Sequence, residues 1–133
     1  MVYNIIEYFQ KEKSMTFDEM IKIHELIKEE IGKDQDAIEL YDELIKRSIE
    51  YSNIRSKWTL MSFEERAEKD AGRTMCHDVL IGKFNQLARY LEKQGRSCKW
   101  RDMLGYENED RINRKRIGDM GCYLAFVHGL NAR

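Results

Sequence analysis

The chain has 133 residues, with 23 basic and 24 acidic side chains and a formal net charge of −1. That length suits a single domain with an ordinary core, which makes metal or disulfide staples unnecessary. Proline is absent, and the three cysteines (Cys76, Cys98, Cys122) are an odd set with no CxxC spacing, which excludes a disulfide framework or a zinc knuckle.

Apolar periodicity predicts helices and no strand. The first covers about Val2–Lys13, with Ile5, Ile6 and Phe9 as its stripe. The second starts at a capping box, Thr16 with Glu19, carries Phe17, Met20, Ile21, Ile27 and Ile31, and stops at Gly32. The third runs from about Asp36 to the Trp58 region through Ile38, Tyr41, Leu44, Ile45 and Ile49, and is expected to fray past Ser52. The fourth opens on a second capping box, Ser62 with Glu65, and extends to Gln94, with a kink expected near Gly72 or Gly82. Residues 97–104 fit one or two turns around Trp100. The last helix is placed from about Asp110 to His128, with Ile112, Ile117, Met120, Leu124 and Val127 on one face and Gly118, Gly121 and Ala125 on another. Small residues let helices approach closely, so this helix is expected at the centre. The fold class is therefore all-α: a compact bundle of about five helices with a buried C-terminal helix, forming one domain over residues 1–133.

Charge divides the chain. Residues 1–71 hold 17 acidic and 11 basic side chains, and residues 72–133 hold 7 and 12. Acidic N-terminal helices packed on a basic C-terminal unit would neutralise each other. The opening segment has no basic leader or small-residue cleavage site. The longest apolar run, residues 121–130, is too short to cross a bilayer. A cytoplasmic protein without membrane association is expected.

Three side chains stand out because they fall on faces that otherwise read as core: Arg73, His77 and Asp119. Buried polar groups require partners. Arg73 and His77 are one turn apart, so a latch in which Asp119 accepts from one of these cations across a helix interface is the expected arrangement. A small polar-ligand pocket is the functional alternative. His24 and His128 read as ordinary helix histidines.

The order His24, His77-Asp78, Asp119 resembles the ligand pattern of the all-helical HD-domain phosphohydrolases. That resemblance implies a divalent metal held by His77, Asp78 and Asp119 and activating water. Helical geometry opposes it, because neighbouring residues diverge by about 100°, so His77 and Asp78 point apart. No phosphate-cradling glycine loop, GxSxG or HExxH occurs. No catalytic residue, metal or cofactor is assigned.

The run Arg111, Arg114, Lys115 and Arg116 is the most basic segment. It is expected to form a partner-binding face, for a protein in the first instance or for nucleic acid by charge alone. A helix-turn-helix around Gly105 fails, because Arg101, Arg111 and Arg114 occupy positions that need small or apolar residues. The stretches FNQLARYLEKQG, WRDMLG and RKRIGDMGCYLAFVHGLNAR, within residues 73–133, resemble an uncharacterised family of small proteins from Gram-positive bacteria and their phages. The resemblance implies a bacterial or phage origin and no particular activity. The sequence thus points to a non-enzymatic binding or regulatory protein of unknown process. An HD-like phosphohydrolase and a charge-driven nucleic-acid binder are the alternatives.

Overall fold

The computed structural model describes residues 15–131, and the helix expected over Val2–Lys13 lies outside them. The described chain forms five helices: α1 (Phe17–Ile31), α2 (Gln35–Trp58), α3 (Phe63–Lys93), the short α4 (Lys99–Met103) and α5 (Arg114–Asn131). Among the described residues the only extended pairing is an isolated bridge between Asn108 and Arg111. No described helix is long and apolar enough to cross a membrane.

Local chemistry explains the boundaries. Thr16 and Ser62 each accept from the backbone N–H three residues on, and Glu19 and Glu65 return the bond, so both capping boxes form. Asp34 caps α2, and its carboxylate also accepts from the Tyr90 hydroxyl and the Arg96 guanidinium, tying the α1–α2 turn to the end of α3. These bonds, Tyr90 foremost, hold the Asp34 carboxyl below its ordinary range even though partial desolvation pushes the other way.

α2 ends at Trp58, as the spacing predicts, and stays helical through the stretch past Ser52 where fraying is expected. α3 runs unbroken past Gly72 and Gly82; neither glycine has a positive φ, and the cost of glycine in a helix interior, about 1 kcal/mol, does not by itself break one. α5 begins at Arg114 rather than Asp110. There the Asn108 side chain accepts from the N–H groups of Asp110 and Arg111, an Asx-type turn that competes with the first helical turn.

The core is one cluster in which Ile23 and Ile27 of α1, Leu44 of α2, Leu80, Phe84, Leu87 and Leu91 of α3, Trp100 of α4, and Ile117, Met120 and Leu124 of α5 are all fully buried. α5 lies against both long helices through its small face. A Cβ on Gly118 would meet the Tyr51 hydroxyl at 2.9 Å, and one on Gly121 would meet a Leu80 methyl at 2.6 Å. Burial stops partway along the α2–α3 hairpin. Nothing between Ser52 and Val79 is fully buried, so the two helices project as an arm. Leu60 and Phe63 at its tip are 86% and 88% exposed.

Candidate functional site

Tyr41, Leu44, Ser48, Tyr51 and Arg55 recur at three- and four-residue spacing on α2, so they share the face turned to α5. Ser48 fits that face because its hydroxyl donates to the Leu44 carbonyl at 2.9 Å. At the arm end of the stripe, Arg55 donates to Asp119 of α5 at 2.7 Å, and the Met15 backbone N–H donates to the other carboxylate oxygen at 3.2 Å. The Arg55 guanidinium also lies 6.0 Å from the Tyr51 ring centroid. Tyr51 in turn stacks on His77 of α3, with ring centroids 4.8 Å apart and an interplanar angle of 28°.

The expected latch of Arg73, His77 and Asp119 therefore does not form. Asp119 takes Arg55 instead. Arg73 lies outside the core, with its guanidinium 4.5 Å over the Trp58 ring and its nearest carboxylate, Asp70, 4.0 Å away. His77 is hydrogen-bonded through Nε2 to the Arg114 carbonyl oxygen at 2.9 Å. Burial holds the His77 imidazole below its ordinary pKa, although the Arg114 carbonyl favours the charged form.

Asp78 turns outward and accepts the Arg114 guanidinium at 2.7 Å. The His77-Asp78 dipeptide thus grips one residue, Arg114, by its backbone and by its side chain. The divergence of adjacent helical residues makes this possible. With Asp78 and Asp119 turned to different arginines, the metal-ligand set is not assembled. Among the described residues no group of three or more His, Cys, Asp or Glu side chains converges.

The basic run is largely neutralised. Arg111 meets Glu107 at 3.5 Å, Arg114 meets Asp78, and Arg116 meets Glu19 at 2.5 Å while also donating to the Met103 carbonyl at 2.7 Å. Among the described residues, Lys115 is the one cation of the run without a carboxylate partner. Arg114 and Arg116 thus tie the start of α5 to α3 and to α1, while Arg111 pairs within the preceding loop. Arg116 with Glu19 joins the two halves of the chain through opposite charges.

Beside the Arg55–Asp119 pair lies an open groove of about 520 Å³ between α1, α2 and α5. Its walls include Met15, Phe17, Met20, Tyr123 and Phe126, with the ion pair among them. Phe17 packs edge-on against Tyr123 at 5.5 Å. Phe17 and Phe126, which both line the groove, remain 59% and 58% exposed, an unusual state for two large apolar rings at one recess.

Further along α5, the buried Tyr41 hydroxyl sits between two histidines. It is 3.1 Å from His24 Nε2 and 2.9 Å from His128 Nε2. Burial lowers both imidazole pKa values and raises that of the phenol. His24 and His128 are thus joined across three helices rather than standing as separate helix histidines. Sequence reading missed this bridge and Arg55. The signal for both was the 41-44-48-51-55 stripe, interrupted to the eye by the polar Ser48.

No protein-family model matches the chain, and neither the curated proteins nor the solved structures contain a match.

Proposed function

We propose that the protein is a non-enzymatic binding protein that holds an apolar segment of a partner protein in the groove between α1, α2 and α5. The observation that carries this reading is the pair of half-exposed phenyl rings, Phe17 and Phe126, flanking a groove whose charged groups are paired to each other. A recess of this size is within the range of specific binding pockets, roughly 300–1,000 Å³. Because Arg55 and Asp119 neutralise one another, the reading selects an uncharged aliphatic or aromatic segment. The groove takes precedence over the basic run because Arg111, Arg114 and Arg116 already have carboxylate partners.

The test uses a neutral apolar fluorophore and a photo-cross-linking side chain at position 126 in the full chain. Fluorophore binding that is lost in Phe17→Asp, together with a defined protein adduct from position 126 that is also lost in that variant, supports the reading. Both substitutions fall on exposed rings, so circular dichroism is expected to stay unchanged. Fluorophore binding that survives Phe17→Asp, or the absence of any variant-sensitive adduct, overturns it.

A further inference from the structure

The His24–Tyr41–His128 bridge has a proton-counting constraint. A phenol has one proton to donate, and it lies between two ring nitrogens. With both imidazoles neutral, Tyr41 donates to one Nε2 and accepts from the N–H of the other. The two histidines must therefore hold opposite tautomers. One proton can be added at the free Nδ1 of the donating histidine without disturbing either hydrogen bond. A second proton, on the accepting Nε2, turns both rings into donors and strands the Tyr41 proton in a buried site. It also sets two cations on rings whose centroids are 5.7 Å apart.

We infer that the His24–Tyr41–His128 bridge is a proton-sensitive latch that fastens α1 to α2 and α5, intact with at most one added proton and broken by the second. The facing groups do not remove the constraint. On α1, Lys28 opposes protonation of both histidines while Glu25 favours it at His24; on α2, Asp42 favours it at His128; on α5, Tyr123 packs edge-on against His24 at 6.0 Å and brings no positive charge. Other attachments of α1 involve no imidazole; they include Ile23, Ile27 and Ile31 in the core, Arg116 on Glu19, and the Arg96 guanidinium on the Glu30 carbonyl oxygen. Acidification therefore loosens α1 rather than unfolding the chain at once. Met15, Phe17 and Met20 line the groove, so loosening α1 widens it. The latch itself stands whether or not the groove binds a partner.

The experiment is amide hydrogen exchange on the full chain at about pH 7.5 and about pH 5.5, corrected for intrinsic rates. Protection of α1 is expected to fall about tenfold more than that of the Leu80–Leu91 part of α3. A His24→Gln/His128→Gln double variant keeps groups able to donate and accept but not titrate, and the difference is expected to vanish in it. Parallel loss in α1 and α3, or a difference that persists in the double variant, overturns the latch. Should that variant fail to fold, nitrogen chemical shifts of the wild-type imidazoles decide. Opposite tautomers at high pH and two separated protonation steps are expected. Identical tautomers or a single shared step overturn it.

Discussion

Asp119 on α5 accepts a hydrogen bond from Arg55 on α2 at 2.7 Å, beside Gly118, where an added Cβ would lie 3.1 Å from the Arg55 guanidinium. The carboxylate is 11% exposed and the guanidinium 34%. Removing Arg55 therefore leaves a mostly shielded anion whose one other donor among the described residues is the Met15 N–H. Arg55→Met is expected to destabilise the fold by roughly 1–3 kcal/mol, below the cost at a fully buried pair because Arg55 touches water. Asp119→Asn is expected to cost less, since an amide still accepts from Arg55. Urea unfolding of both single variants and the double variant checks this. A coupling free energy near zero would show the pair to be incidental.

The glycines make opposite predictions. Gly121→Ala places a methyl 2.6 Å from Leu80, which is fully buried and closely packed. A loss of about 1–3 kcal/mol is expected from the forced repacking. Gly72 and Gly82 lie mid-helix with nothing within 4 Å of an added Cβ. Alanine at either is expected to raise stability by about 0.5–1 kcal/mol through helix propensity and reduced unfolded-state entropy. Thermal melts of the three single variants test the sign at each position.

Stability is expected to fall as the pH drops below about 6.5. His24, His77 and His128 all have folded pKa values below the ordinary 6.5, chiefly through burial. Below 6.5 the unfolded chain takes up protons that the folded chain resists, so the unfolded state gains. The lowered carboxyls of Glu19, Asp34 and Glu109 contribute stability that is present above the ordinary carboxyl range and lost only at lower pH. The urea midpoint should thus decrease between about pH 7.5 and 5.5, above the range in which those three lowered carboxyls take up protons. Equal midpoints across that interval would contradict the assignment of the three imidazoles as shielded and neutral.

The tip of the arm is expected to tolerate change. Leu60 and Phe63 are almost wholly in water, so Leu60→Lys and Phe63→Lys remove little packing. Stability changes within about 0.5 kcal/mol are expected, together with greater solubility at high concentration. A large loss of stability at either position would show that the tip is covered in solution.

The His77-Asp78 dipeptide shows where reading along the chain reaches its limit. Helical spacing shows that the two side chains diverge, and they do. It does not show that both would find Arg114, because that depends on where α5 begins. Sequence placed that start at Asp110, and the Asn108 side chain moved it to Arg114 by taking two backbone N–H groups. The arginines of the run take their carboxylates from three segments: Arg111 from its own loop, Arg114 from α3 and Arg116 from α1.

By itself, the sequence determined the all-helical class, the capping boxes at Thr16 and Ser62, the apolar stripes, and the small face of α5 that seats Tyr51 and Leu80. These follow from spacing and capping, which are local properties of the chain. Tertiary structure alone decided which polar groups meet. Arg55 rather than Arg73 reaches Asp119, and Tyr41 joins His24 to His128, across 64, 17 and 87 residues of separation respectively for Arg55–Asp119, His24–Tyr41 and Tyr41–His128. A buried polar group demands a partner, but the demand is met by whichever donor the helix packing brings within about 3 Å, and packing is a property of the whole core.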